Sequence, residues 1–211
     1  LTRFLTFREI LENYNSRKIY GFDVFGKFPK PKNQGDKSFL KSWEKSAGDG
    51  IDVKELNEIL LDKKFSNFEL VKGDVKKTIP NLIKKNPGLK ISLLHLDMDI
   101  YEPTKFTLNK LFPHVVKGGI ILIDDYNTVF GATKATDEFI NSKKGLVIKR
   151  LNFYKKPSYI VKNWTLLPKW MYELFANLTL ILHLIFILFV IFGGLLFFVF
   201  SKIIYIHLPA L

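Results

Sequence analysis

The sequence of 211 residues contains no cysteine. A disulfide framework, a thiolate metal site and a cysteine nucleophile are therefore all excluded, and the composition fits a reducing compartment. The sequence also lacks a charged-then-apolar signal segment, and its first residue is Leu1 rather than Met. We therefore expect the chain to begin inside a longer gene product.

Charged side chains are absent from one long stretch near the C-terminus. Residues Leu174 to Ser201 form 28 consecutive uncharged positions that are rich in Leu, Ile and Phe. A helix of about 20 apolar residues is long enough to cross the hydrocarbon core of a bilayer, and tilting absorbs a surplus. A buried core helix that is apolar all round would be unusual at this length. The stretch therefore predicts a membrane span over 174–201.

The residues that flank this stretch predict its orientation. Aromatic side chains suit the two membrane interfaces, and lysines are more frequent before the stretch than after it, which favours a cytoplasmic location for the preceding domain. The aromatic residues are Trp164, Trp170, Tyr172 and Tyr205, and the lysines are Lys155, Lys156, Lys162 and Lys169 before the stretch and Lys202 after it. A read-through product of an AT-rich gene would have the same composition, so the origin of the tail stays open.

Most of the charge lies in the first of two expected domains, 1–164 and 165–211. The region before Thr165 holds 30 of the 32 Lys and Arg residues and 19 of the 20 Asp and Glu residues, a net charge of +11. Such a charge favours an anionic partner, either a nucleic acid or the inner leaflet of a membrane. The lysines are scattered and rarely alternate with exposed aromatic residues, so we expect a solvated lysine-rich surface rather than a nucleic-acid site.

Apolar strands and amphipathic helices alternate along the first domain. Because each crossover between parallel strands must pack back over the sheet, the alternation predicts a doubly wound α/β domain with a mostly parallel sheet. The predicted strands are 18–23, 68–72, 91–96, 120–123, 146–151 and 158–162, and the predicted helices are 1–15, 51–61, 77–85, 103–112 and 132–142. A loop is predicted over 26–36 and a turn over 117–119.

Acidic residues follow the predicted strands. In sheets of this class the ligand lies outside the carboxyl ends of the strands, so these side chains should gather along one edge. Mutually repelling carboxylates favour a bound divalent cation, and Mg²⁺ prefers oxygen ligands. Helix capping is the alternative for any one of them. The residues are Asp23, Asp74, Asp97, Asp99, Asp124 and Asp125.

Asp23 suits a different ligand. It ends the strand 18–23, where a carboxylate can accept hydrogen bonds from both hydroxyls of a ribose. A turn-forming aspartate before a loop has the same spacing, so both interpretations remain open.

Five blocks of sequence, in order, closely resemble the macrocin O-methyltransferase (TylF-like) family of class I methyltransferases. They are YGFDVFGKFP (20–29), GDVKKTIP (73–80), LHLDMDIYEPTK (94–105), GGIILIDDY (118–126) and GATKATDEF (131–139). The resemblance implies a Rossmann-like fold, S-adenosylmethionine as methyl donor, magnesium as helper, and an acceptor hydroxyl that is usually on a sugar. It also implies that the first strand and its glycine-rich cofactor turn are missing from this chain. In the loop after Asp23 the family usually has Phe-Glu-Gly, where this chain has Phe25-Gly26-Lys27.

The resemblance also implies roles for the acidic residues. Metal ligation would fall to Asp97, Asp124 and Asp125, the general base would be Asp99, the ribose would bind Asp23, and the adenine end of the cofactor would lie near Asp74.

Two rival functions remain open at this point. A membrane-bound glycosyltransferase would use Asp97-Met98-Asp99 to hold a metal on a nucleotide sugar, but this leaves Asp124 and Asp125 unexplained. A degenerate, inactive scaffold is the non-enzymatic alternative, although a scaffold has no need of mutually repelling carboxylates.

Overall fold

The computed structural model describes residues 1–12, 14, 16–46, 50–143, 145–152, 154, 156–162 and 169–197. The chain divides into two units, Leu1–Asn163 and Trp164–Leu211. In chain order the first unit contains α1 (Thr2–Leu11), β1 (Ile19–Asp23), α2 (Gln34–Ser46), α3 (Val53–Asp62), β2 (Phe68–Lys72), α4 (Val75–Lys85), β3 (Ile91–Leu96), α5 (Tyr101–Leu111), a 3-10 turn (Phe112–His114), β4 (Val115–Ile123), α6 (Phe130–Asn141), β5 (Ile148–Lys149) and β6 (Ser158–Val161). An α/β architecture is therefore confirmed.

The strands form two sheets, one of two parallel strands and one of four strands of mixed direction. In the first sheet β1 pairs in parallel with β2, and in the second the order is β3-β4-β6-β5. There β3 and β4 are parallel, whereas β6 is antiparallel to both β4 and β5. The expectation of one mostly parallel sheet is thus met only in part, because the strands belong to two sheets and β6 runs against β3, β4 and β5. Only residues 150–157 join β5 to β6, and a parallel crossover needs a dozen or more residues.

Two local predictions differ from the structure. Helix α2 begins at Gln34, inside the predicted loop 26–36, and continues to Ser46. Strand β4 begins at Val115 and runs through the predicted turn 117–119. Gly118 has φ +78°, a left-handed conformation that glycine adopts at low cost, and the ladder with β3 shifts register at this end. The glycines therefore mark an irregularity inside a strand rather than a turn.

The hydrophobic core lies between the second sheet and helices α4, α5 and α6. Burying one aliphatic or aromatic side chain of this kind contributes about 1.5–3 kcal/mol, so this cluster holds the carboxyl ends of β3 and β4 in fixed relative positions. Its members are Val75, Ile79, Leu94, Leu96, Leu108, Leu111, Val115, Ile121, Ile123, Phe139 and Ile160.

Helix α1 is tied to the rest of the first unit by two buried side chains. Leu5 is completely buried, and the Arg8 guanidinium donates hydrogen bonds to the backbone carbonyls of Arg17, Ser66 and Asn67. These carbonyls precede β1 and β2, so Arg8 joins the helix to the start of both strands. The helix ends at Leu11, earlier than the predicted residue 15.

The second unit is described over one helix, α7 (Lys169–Phe197). The segment Glu173–Phe192 is long and apolar enough to cross a membrane, and every side chain in it is exposed except Val190, which is partly buried. The predicted interfacial residues Trp164 and Tyr205, and the lysines 155 and 202, lie outside the described residues, as does the end of the predicted span. Trp170 and Tyr172 lie in the first turn of α7.

Candidate active site

The acidic residues 97–99 and 124–125 follow two neighbouring parallel strands. Strand β3 ends at Leu96 and β4 at Ile123, and these two residues are register partners. The Asp124 N–H donates to the Leu96 carbonyl at 3.0 Å, which extends the ladder by one residue. The two acidic segments therefore begin side by side at the carboxyl edge of the sheet, as the strand pattern predicted.

Three of these carboxylates converge. Asp97, Asp99 and Asp125 each offer one oxygen, and the three oxygens lie within 4.8 Å of one another. Two oxygens bound to one Mg²⁺ lie at most about 4.2 Å apart, because each Mg–O distance is about 2.1 Å. Neighbouring ligands of an octahedral ion lie only about 3.0 Å apart, so the cluster would contract by up to about 1.8 Å to hold such an ion. Its all-oxygen donor set fits a hard divalent cation.

The chain turns a corner at Asp99 instead of continuing as a strand. Asp99 has φ +57°, a left-handed conformation that aspartate and asparagine adopt more readily than other non-glycine residues. Its carbonyl accepts a hydrogen bond from Ala132 N at 2.9 Å, which ties the corner to the first turn of α6. The turn lets the side chains of Asp97 and Asp99 approach the same point.

Asp99 and Asp125 form a coupled pair of carboxyl groups. Burial raises the pKa of Asp99 to about 7, and its hydrogen bond to Asp125 and the negative charges of Asp125 and Asp97 act in the same direction. For Asp125, burial acts to raise the pKa, but the hydrogen bonds from Lys156 and Asp99 outweigh it and hold the pKa below its ordinary value. Asp125 is thus the ionised partner, and Asp99 is about half protonated at neutral pH in the metal-free protein. A bound cation would favour the ionised form of Asp99.

Asp97 lies at the exposed rim of the cluster. Partial desolvation by the surrounding protein raises its pKa, and repulsion from Asp124 and Asp125 adds to the increase. The whole group therefore carries excess negative charge, which a bound cation would relieve.

One cation of the protein already contacts this cluster. Lys156 Nζ lies 2.8 Å from Asp125 Oδ1, and the side chain of Asp125 is only 9% exposed. The hydrogen bond to Asp125 raises the pKa of Lys156.

Asp124 faces a different neighbour. Its Oδ1 lies 3.9 Å from His95 Nε2, and the His95 ring packs on the ring of Phe4 with centroids 5.0 Å apart. Asp124 does not belong to the group of three residues whose carboxylate oxygens lie within 4.8 Å of one another. It is still close enough for its charge to act on Asp97.

Asp23 and Asp74 lie at the ends of the first sheet. The exposed Asp23 ends β1, where its Oδ1 accepts the Phe25 N–H at 2.7 Å. Asp74 caps α4 by accepting the Lys76 N–H at 2.9 Å. The Gly73 N–H donates to the Asp23 carbonyl at 2.9 Å, which brings the two loops together. Each aspartate thus has a local structural role that is compatible with a further ligand.

Asp36 is a buried residue that the sequence motifs did not single out. It is 1% exposed, and its Oδ2 accepts hydrogen bonds from Asn33 Nδ2 at 2.6 Å and from the Tyr101 N–H at 2.9 Å. Tyr101 is the first residue of α5 and lies two positions after Asp99. The hydrogen bond from the Tyr101 N–H to Asp36 therefore holds the start of α2 next to the acidic cluster. The spacing Asn33-x-x-Asp36, with the Asp36 N–H donating to Asn33 Oδ1, resembles a capping box and would have located α2.

The chain is similar in sequence to known methyltransferases. The profile of the Macrocin-O-methyltransferase (TylF) family matches residues 4–149. The chain belongs to this family. A curated relative of this TylF-family chain, the demethyldecarbamoylnovobiocin O-methyltransferase of Streptomyces niveus, is 31% identical over 91 residues. That match covers 41% of this chain and 34% of the relative, so the chain spans about a third of the curated protein it matches.

Solved structures show the same fold as this TylF-family chain. The O-methyltransferase NovP aligns with a TM-score of 0.64 at 21% identity, covering 76% of this chain and 66% of NovP. A calicheamicin methyltransferase aligns with a TM-score of 0.55 at 26% identity, covering 75% of this chain and 65% of that protein. Its apo form, described as a TDP-rhamnose 3'-O-methyltransferase, aligns with a TM-score of 0.52 at 27% identity, covering 75% and 64%. Membership of a methyltransferase family favours methyl transfer over the glycosyltransferase alternative.

Proposed function

We propose that this protein is an S-adenosylmethionine-dependent, Mg²⁺-assisted O-methyltransferase that acts on a hydroxyl of a sugar or of a glycosylated small molecule. One observation carries the proposal: in a TylF-family chain, carboxylates from the ends of two adjacent strands converge on one point. The acceptor class is supported by the relatives, one of which acts on demethyldecarbamoylnovobiocin and another on TDP-rhamnose.

The acidic cluster divides into metal-binding and proton-accepting residues. Asp97, Asp124 and Asp125 would hold the cation, and Asp99, whose oxygen lies within the same 4.8 Å group, would act as the general base. When bound, magnesium lowers the pKa of an acceptor hydroxyl, and S-adenosylmethionine supplies an electrophilic methyl group. Asp99 takes the hydroxyl proton as the new O–CH₃ bond forms and the C–S bond breaks, leaving S-adenosylhomocysteine.

Asp23 and Asp74 would bind the nucleoside part of the cofactor. One oxygen of Asp23 accepts the Phe25 N–H. An ionised carboxylate has about four acceptor positions, so capacity remains for the two ribose hydroxyls. Asp74 begins α4 next to the end of β1 and would lie at the adenine end.

The cofactor site would be completed by a further strand. Within the described part of the chain, β1 pairs only with β2, and β3 pairs only with β4, so each strand has a free edge. Leu93 of β3 is 42% exposed, unlike the buried positions typical of an inner parallel strand. A strand encoded upstream of Leu1, ending in a glycine-rich turn, would pair with both edges and join the two sheets.

The C-terminal helix would anchor the enzyme. Its apolar segment Glu173–Phe192 is long enough to span a bilayer, and the lysines that precede it favour a cytoplasmic catalytic domain.

Methyl transfer from labelled S-adenosylmethionine to nucleotide sugars and glycosides tests the proposal, with Mg²⁺ and with a chelator. The protein should carry any sequence encoded upstream of Leu1. Activity should require Mg²⁺, and Asp124→Asn should weaken Mg²⁺ binding because it removes a ligand charge. Asp62→Asn, an exposed position at the end of α3, is the charge-matched control and should behave as wild type.

Calorimetry separates the rival functions. We expect binding of S-adenosylmethionine, whereas a nucleotide sugar should bind only as methyl acceptor, without transfer of its sugar. Transfer of the sugar itself would establish the glycosyltransferase, whereas a complete protein that neither binds the cofactor nor turns over would establish the scaffold.

A further inference from the structure

The position of Lys156 follows from the sheet. Strand β6 is antiparallel to β4, and Ser158 is the register partner of Ile123. Continuing the antiparallel register past the ends of the two strands brings Lys156 opposite Asp125. The observed contact, Lys156 Nζ to Asp125 Oδ1 at 2.8 Å, has this geometry. The ammonium is therefore directed at the acidic cluster by backbone pairing, not only by side-chain flexibility.

Lys156 and a divalent cation would compete for the same carboxylate. Asp125 belongs to the group of three whose oxygens lie within 4.8 Å of one another. The charges of Asp124 and Asp99 also attract the ammonium. Two cations at such short range repel each other strongly, since the interaction of unit charges rises steeply below about 4 Å.

The two partners differ in their freedom to move. The Lys156 side chain is 39% exposed, and a lysine carries its charge on a flexible four-carbon stem. The Asp125 side chain is 9% exposed, and the Asp125 carbonyl accepts the N–H groups of Thr128 and Val129. The ammonium can swing into solvent while the carboxylate stays in place.

We propose that Lys156 is an internal counter-ion of the metal site, which neutralises Asp125 in the metal-free protein and is displaced when a divalent cation binds. The inference rests on the proposed function, because it assumes that Asp125 is one of the ligands of a divalent cation. Lys156 thereby sets the affinity for the metal and keeps the acidic cluster folded between turnovers.

Metal affinity tests this role. Mg²⁺ and Mn²⁺ are titrated by calorimetry into the full-length protein and into its Lys156→Met variant. The control is Lys85→Met, which removes the same charge at an exposed position of α4. Removal of the competing charge should tighten binding roughly tenfold in Lys156→Met. Lys85→Met should bind as wild type, and Lys156→Arg, which keeps the charge, should not bind more tightly than wild type.

Thermal denaturation gives a second readout. Without metal, Lys156→Met should melt below wild type because the carboxylates lose their counter-ion, and saturating Mg²⁺ should raise its Tm by more than it raises that of wild type. A merely structural ion pair would give unchanged or weaker metal binding in Lys156→Met, and that result would overturn the inference. Failure of wild type and Lys156→Met alike to bind either metal would instead contradict the proposed function.

Discussion

Asp99 combines a left-handed backbone, a half-buried position and two carboxylate neighbours. Its φ of +57° is tolerated by asparagine as well as by aspartate, so Asp99→Asn should preserve the corner between β3 and α5. The amide cannot take up the hydroxyl proton. General-base residues typically contribute 10²- to 10⁴-fold to rate.

We therefore expect Asp99→Asn to lower kcat by at least about 10²-fold, while the Kd for S-adenosylmethionine changes by no more than a few-fold. Single-turnover assays and calorimetry give the two quantities. Activity equal to that of wild type would remove Asp99 as the base.

The protonation of Asp99 predicts a pH dependence of stability. Its pKa is about 7 in the folded protein, mainly through burial, against an ordinary value of 3.8. Between about pH 4 and pH 7 the folded state keeps a proton that the unfolded state releases, so the free energy of unfolding should fall as pH rises, by at most about 1.4 kcal/mol per pH unit.

Denaturant unfolding of the metal-free protein at pH 5, 6 and 7 measures this slope. Asp99→Asn should reduce it, because the amide does not titrate, and Asp97, whose pKa is also raised, accounts for a remaining slope of the same sign. The lowered pKa of Asp125 acts only at more acidic pH and leaves this window unaffected. A slope that is identical in wild type and Asp99→Asn would contradict the assignment.

At the scale of elements, the buried carboxylate of Asp36 joins α2 to the segment beside the acidic cluster. Asp36 accepts the first N–H of α5 and the side-chain amide of Asn33, and it packs directly on Gly131, where even a Cβ would collide with it. Since Tyr101 follows Asp99 by two residues, this contact links the α2 segment to the corner of the chain at Asp99.

Replacing the carboxylate should loosen this link. Asp36→Ala leaves two partly buried donors, Asn33 Nδ2 and the Tyr101 N–H, without their acceptor, and hydrogen bonds to charged groups are worth about 1.5–3 kcal/mol each. We expect faster hydrogen exchange of the Tyr101 amide and a lower Tm. Asp62→Ala is the control, and unchanged exchange at Tyr101 in Asp36→Ala would show that the contact does not stabilise the start of α5.

At the scale of the whole molecule, the proposed membrane anchor is tested by placing charge within the apolar helix. Arginine at the centre of a spanning helix costs about 2.5–3.5 kcal/mol, so Leu182→Arg with Leu184→Arg should release the protein from liposomes in flotation assays. Leu61→Arg, at an exposed position of α3, adds charge outside the tail and should leave flotation unchanged. A wild-type protein that remains entirely in the aqueous fraction would contradict the anchor.

The sequence by itself determined the α/β alternation and the location of the acidic residues after β3 and β4. Apolar runs and helical periodicity are local properties, and aspartates that directly follow a strand must lie at its end. The five ordered blocks likewise identified the family without reference to the fold.

Only the tertiary structure decided which side chains meet. Lys156 and Asp125 are 31 residues apart in sequence, and Asp36 and Tyr101 are 65 apart. The first contact depends on the antiparallel return of β6 and the second on the docking of α2, and neither leaves a periodic or compositional signal. The same holds for the convergence of Asp99 with Asp97 and Asp125, because a left-handed corner changes the direction of a side chain in a way that spacing along the chain does not encode.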